Sequence, residues 1–170
     1  MRACTDRITD YCVDPVELGY RNRIDFDRYF IGSEALRTRA ANQKRTKVTL
    51  VRNTDDVFAV NQDALAPKGK PAKFIAMPLP MFATFESDTV MKNGVGVGVS
   101  QWSSWSANAG ALLALALVDV AHAEPGTGLT LVWGEPNSKR PTVESHELRE
   151  IRVTVAPPPY FEKVIKSVRQ

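Results

Sequence analysis

His122 and His146 are the first side chains to test for chemistry, because imidazole carries protons and binds metals near neutral pH. Neither stands at metal-ligand spacing from a cysteine or a carboxylate. Both therefore read as structural groups, His122 at a strand end and His146 in a loop. No serine occupies the strained strand-to-helix turn of an activated nucleophile. Gly94, Gly96 and Gly98 alternate with valines and open no helix. They form a close-packed glycine strand and not a phosphate loop. No catalytic residue and no metal ligand can be nominated. What remains are groups that bind. Trp102 and Trp105 stand three apart in a polar, serine-rich loop. They are either buried anchors or an aromatic wall for a flat ring, where stacking adds about 0.5–1.5 kcal/mol beyond burial. Trp133 falls on an apolar strand and reads as core.

The elements that hold these residues can be read from periodicity. Cys4, Ile8, Tyr11 and Cys12 recur at helical spacing, and Pro15 ends that helix. Residues 20–26 alternate weakly, as a strand does. Ser33 is placed to cap a helix over 34–41, residues 47–51 read as a short strand, and Asp55-Asp56 favour a helix over 56–65. Residues 67–71 form a loop. Beyond it the pattern is β: strands at 74–77 and 85–91, an Asn93-Gly94 hairpin into 95–100, then strands at 112–120, 129–133 and 148–155. Residues 112–120 are rich in Ala and Leu, which are good helix formers. Their order argues for a strand, since Leu113, Leu115 and Leu117 alternate with Ala114, Ala116 and Val118. One large face and one small face suit a small closed barrel. Pro157-Pro-Pro159 stops the last strand, and Tyr160, Phe161, Val164, Ile165 and Val168 suggest a short amphipathic helix.

Composition bounds the function. The 170 residues are 44% hydrophobic and 24% charged, ordinary for a globular chain that needs no disulfide. A net charge of +3 is too small to argue for nucleic acid. The basic run at Arg37, Arg39, Lys44, Arg45 and Lys47, like the lysines at 68 and 70, lacks interleaved aromatics and reads as a solvated face. Cys4 and Cys12 lie about two helical turns apart, too far for a bridge. Free thiols without a leader pattern point to a reducing cytoplasm. No apolar run approaches the roughly 20 residues that span a membrane.

Two stretches carry a family resemblance. Val97, Gly98, Ser106 and Leu115-Ala-Leu-Val118 match V-G-x-x-T-S-G-x-x-S-P-x-L-x-x-x-I-A-L-A-L-V, with Ser103 and Ala107 replacing its Gly and Pro. Upstream, Asp14-Pro-Val-Glu-Leu-Gly19, Tyr29-Phe-Ile-Gly32 and Glu34-Ala-Leu36 match T-P-x-E-x-G-L, D-F-I-G and E-A-L, with Tyr29 in place of Asp. Order and spacing are kept. The chain thus resembles the C-terminal part of the glycine-cleavage T-protein (aminomethyltransferase) family. Its tryptophan-rich segment and Val132-Trp-Gly-Glu135 look like the tetrahydrofolate-dependent O-demethylases of methoxylated aromatic acids.

The resemblance implies a mainly β fold, a Greek-key or jelly-roll-like antiparallel barrel of about six strands over 46–170. Before it, residues 1–45 would be a small α+β segment, the tail of a folate-binding domain. Such a tail holds too few elements to bury its own core. The chain would then be the C-terminal portion of a longer protein or one subunit of a split one, leaving Ile8, Tyr11 or Phe30 accessible. The implied cofactor is tetrahydrofolate. Its partners would be the missing folate-binding part and a small-molecule methyl donor, with neither nucleic acid nor membrane, and self-association stays open. Arg28 lies near the arginine that engages the folate tail in T-proteins, with Arg23 as a rival and a plain surface role equally open. Glu17 and Tyr20 match or neighbour the motif, although Glu17 could equally bond backbone amides at a turn. Trp102 and Trp105 would stack on the pterin or aryl ring. The family's pterin-binding carboxylates fall upstream of residue 1, and no acid to protonate a departing phenolate can be named. Alone, the chain is therefore expected to be inactive. An aminomethyltransferase, or a non-catalytic barrel that docks on a partner domain, are the competing readings.

Overall fold

Alternating inward apolar residues close six strands into one barrel. A computed structural model describes residues 12–76, 87–135 and 144–161. The strands are β1 (Arg45–Arg52), β2 (Asp88–Lys92), β3 (Val95–Ser106), β4 (Ala111–Asp119), β5 (Gly128–Trp133) and β6 (Arg149–Ala156). Two helices accompany them, α1 (Ser33–Ala41) and α2 (Thr54–Leu65). The strand order is β1-β4-β3-β2-β5-β6, closed and antiparallel at every pairing. β2, β3 and β4 form a meander, and β4 returns beside β1, which is the Greek-key connection. The expected fold class is the observed one.

The core lies inside the barrel. Val48 and Leu50 of β1, Val90 of β2, Leu131 of β5 and Ile151 and Val153 of β6 are all buried there. On β4 the small residues Ala114, Ala116 and Val118 are buried, while Leu113 and Leu117 are half-buried and Leu115 is 43% exposed. The period-two reading is therefore correct in kind, with the large face turned outward. The inward face of β4 carries one large residue, Leu112, at its start and then Ala114, Ala116 and Val118, where the large residues of β1, β5 and β6 take up most of the interior. Gly98 answers to the close approach of β3 and β4: a Cβ there would stand 2.5 Å from the Leu117 backbone oxygen.

The turns follow their residues. Asn93 (φ 50°) and Gly94 (φ 79°) both lie in the left-handed region, as a two-residue type I′ hairpin requires. Asn53 caps α2, its side chain accepting from the Asp56 N–H at 3.0 Å. Ser33 is not a cap. It is the first helical residue of α1, and Gly32 at φ 87° precedes it without a side-chain bond.

Other departures have physical reasons. Residues 20–26 form no strand, only a 3₁₀ turn at Arg21–Arg23, because no neighbouring strand offers a ladder to pair with. Residues 74–76 form no strand, and the one isolated bridge nearby is Ala72 with Glu147. Trp102 and Trp105 lie within β3 and not in a loop, since β3 runs on to Ser106 through a bulge at Trp102. That bulge, with Trp102 at φ 51°, inserts the extra residue that periodicity could not register. The expected helices around 4–12 and 160–168 lie largely outside the described residues, as do Ile8 and Tyr11. Phe30 is half-buried, whereas its neighbours Tyr29 and Ile31 are 84% and 96% exposed.

Candidate functional site

Asp14 to Tyr20 fold into a single capped turn beside β1. The Asp14 side chain accepts from the N–H groups of Val16 and Glu17, both at 2.9 Å. The Glu17 carboxylate reaches back to the Asp14 N–H at 3.3 Å. This is the reciprocal bonding of a capping box, with Pro15 in the first-turn position where its missing N–H costs nothing. Aspartate, proline and glutamate at this spacing therefore have a local structural cause.

Glu17 does more than cap. Arg45, the first residue of β1, forks onto it, with Nε donating to Oε1 at 2.9 Å and Nη2 to Oε2 at 3.1 Å. The Lys47 N–H also donates to the Glu17 carbonyl at 2.8 Å. The 14–20 turn is thereby bolted to the barrel. Arg45 belonged to the run that sequence reasoning assigned to solvent. Only the 28-residue separation of the pair hid its role, since no local spacing marks a long-range bond. Tyr20 is half-exposed, and the Lys47 ammonium stands 5.2 Å from its ring centroid.

The remaining nominated residues are spread out. Arg28 lies on an exposed stretch between the 3₁₀ turn and α1, without a hydrogen bond or ion pair to the described residues. Arg23, in the turn itself, is also exposed. Trp102 is 45% and Trp105 38% exposed, so neither is a buried anchor. Trp133 is 1% exposed and is core, as read from its strand. Its Nε1 donates to the Lys73 carbonyl at 2.6 Å, and the cations of Arg52 and Lys73 each stand 5.1 Å from its ring. Arg52 pairs with Asp88 inside the barrel at 3.6 Å, an ion pair that sequence reasoning missed. Its signal was available: Arg52 continues the inward series of Val48 and Leu50.

A cleft of about 550 Å³ opens where the 14–20 turn and the end of α1 meet the barrel. Asp14, Glu17, Arg39, Arg45, Val99 and Asp119 contribute to its wall. Arg39 is its adaptable cation, largely exposed and only loosely placed against Asp14 at 3.9 Å. A larger cleft of about 700 Å³ runs over Lys92, Thr130 and Arg152. Its Arg152 is already committed to Asp56, so it has less chemistry to offer. His146 is structural: the Glu135 N–H donates to its Nε2 at 2.7 Å, and its Nδ1 bonds the Glu144 carbonyl at 2.8 Å. His122 ends the 3₁₀ turn after β4. Among the described residues no cluster of three or more His, Cys, Asp or Glu side chains could hold a metal. No helix among them is long and apolar enough to cross a membrane. The arrangement can bind and position; it holds no assembled acid–base pair.

No family model matches the chain. It is 39% identical over 157 residues to syringate O-demethylase of a Sphingobium species, covering 91% of this chain and 34% of that protein. It is 32% identical over 164 residues to sesamin methylene transferase of a Sinomonas species, covering 88% of this chain and 33% of that one. The chain thus spans about a third of the length of these relatives. Among solved structures it is similar to the glycine cleavage system aminomethyltransferase T of Bartonella henselae, with a TM-score of 0.54 and 15% identity. That likeness covers 87% of this chain and 32% of the other, and it concerns the fold. Fold and sequence agree: the chain resembles the C-terminal part of the glycine-cleavage T-protein (aminomethyltransferase) family, with the look of its O-demethylase branch.

Proposed function

We propose that this chain is the C-terminal portion of a tetrahydrofolate-dependent methyltransferase that removes a methyl group from a methoxylated aromatic acid in the cytoplasm. The observation that carries this reading is the 39% identity to syringate O-demethylase across 91% of the chain. Residues 1–45 correspond in this reading to the tail of the folate-binding domain, and 46–170 to its barrel. Transfer of a methyl group from an ether oxygen to the pterin N5 is chemistry that the folate supplies. The chain's own residues bind and orient. Arg28, exposed and without a partner among the described residues, is suited to a carboxylate of the folate tail through charge-assisted hydrogen bonds. Tyr20, Trp102 and Trp105 keep enough exposed ring to stack on a flat ligand. Glu17 is occupied by Arg45 and the Asp14 amide, so its part is to hold the 14–20 turn in place. The departing phenolate still needs a proton, and no carboxylic acid or imidazole among these residues is free to give it. The acid is therefore assigned to the part of the parent outside this chain.

The experiment is a titration of tetrahydrofolate, with syringate turnover, in two proteins. One is the 170-residue chain. The other is Sphingobium syringate O-demethylase with its matching third replaced by this chain. The chimera should bind folate and demethylate, and the chain alone should do neither. Turnover by the chain alone would overturn the reading.

A further inference from the structure

On the outer face of β4 Leu115 is 43% exposed, flanked by the half-buried Leu113 and Leu117. Leu113, Leu115 and Leu117 point away from the barrel, paired across the strands with Val51, Thr49 and Lys47 of β1. On the other side Leu117 neighbours Val99 of β3. The opposite wall of the barrel is different: the outward residues of β6 are Glu150, Arg152 and Thr154, all exposed and polar. The outer face of β4 is therefore apolar where that of β6 is polar. It is also continuous with the cleft, because Val99 and Asp119 line that cleft and sit beside or next along from Leu117. A closed barrel offers no strand edge for pairing, so a partner must pack on a face. The relatives supply the candidate, since about two thirds of their length lies beyond what this chain spans.

We propose that the Leu113–Leu115–Leu117 face is the seat of the remaining part of the parent protein, which packs over it and closes the adjoining cleft. This rests on the reading under Proposed function, and it adds the surface through which the two parts meet. The face commits to an apolar partner surface, with Lys47 and Asp119 at its rim to set orientation. A second copy of this chain is the competing occupant.

Leu115→Lys tests it, with Thr154→Lys on the polar wall as control, each made in the isolated chain and in the Sphingobium chimera. Both residues are solvent-exposed in the isolated chain, so each substitution should leave its melting midpoint within about 2 °C. In the chimera Leu115→Lys should lower the midpoint by about 4 °C or more, and Thr154→Lys should not. Equal shifts in the two contexts would sink the proposal. So would a chimera whose barrel melts independently of the rest, or one that fails to fold. Sedimentation of the isolated chain as a dimer that Leu115→Lys dissociates would give the face to a second copy and overturn it too. Tetrahydrofolate binding keeps the two ideas apart. A chimera that binds folate without the Leu115 effect defeats only the docking surface; the Leu115 effect without folate binding defeats only the functional reading.

Discussion

Arg28 and Glu17 are charged residues of one segment with opposite fates. Glu17 is 8% exposed and satisfied on both oxygens, whereas Arg28 is exposed and has no described partner. A ligand group can come from the second kind without first breaking an internal bond. In the chimera, Arg28→Ala should weaken tetrahydrofolate by about 1.5–3 kcal/mol, roughly ten- to hundred-fold. Unchanged affinity in a calorimetric titration would remove Arg28 from the site. Glu17→Gln acts through stability. It keeps the shape but leaves the Arg45 guanidinium, only 23% exposed, facing a neutral amide. A loss of about 1–3 kcal/mol is expected, read as a shift in the urea midpoint. An unaltered midpoint would mean that the turn is held mainly by its backbone bonds.

At the scale of elements, β3 and β4 depend on the absence of side chains where they approach. Gly98→Ala would place a methyl 2.5 Å from a backbone oxygen of β4, and a strand in a closed barrel cannot retreat cheaply. Destabilisation of about 1–3 kcal/mol is expected, equivalent to several degrees in melting midpoint. A midpoint equal to wild type would show that the ladder relaxes around it. α2 is tied to β6 by a second device. The Arg152 guanidinium bonds Asp56 at 2.7 and 2.8 Å, and the Arg152 N–H adds a third bond at 2.8 Å. The side-chain bond to Arg152 holds the Asp56 carboxyl below its usual value of 3.8. A carboxyl lowered in the folded state contributes stability that is complete above its unfolded pKa and is lost as pH falls through the lower folded value. Asp56→Asn should therefore cost stability at neutral pH and progressively less as pH falls below 3.8. Parallel wild-type and variant melting curves across that range would refute this role.

The whole molecule has two unlike ends of one chain. The barrel owns a core of large buried residues, whereas residues 20–32 are mostly exposed, with Ile31 at 96% and Tyr29 at 84%. Those two side chains leave water only if something beyond the described residues covers them. The same holds for the exposed part of Leu115. A protein that demethylates must exclude water from its reacting centre, and both clefts described above are open to solvent. The absence of turnover expected for the isolated chain under the proposed function rests on this and on the acid assigned to the rest of the parent.

Barrel class and the β4 alternation were legible in the sequence, because period two and turn chemistry at Asn93-Gly94 are local properties of the chain. The family likeness was legible because its motifs carry local causes, such as the Asp14–Glu17 capping box and the close approach at Gly98. Which face of β4 turns inward was not, since alternation is symmetric and only the volume left by β1, β5 and β6 breaks the tie. Nor were the Glu17–Arg45 and Arg52–Asp88 pairs, which join residues 28 and 36 apart through barrel closure. The bulge at Trp102 and the missing strand at 20–26 have one physical reason: whether a segment pairs depends on what lies beside it, and that is decided by tertiary structure alone.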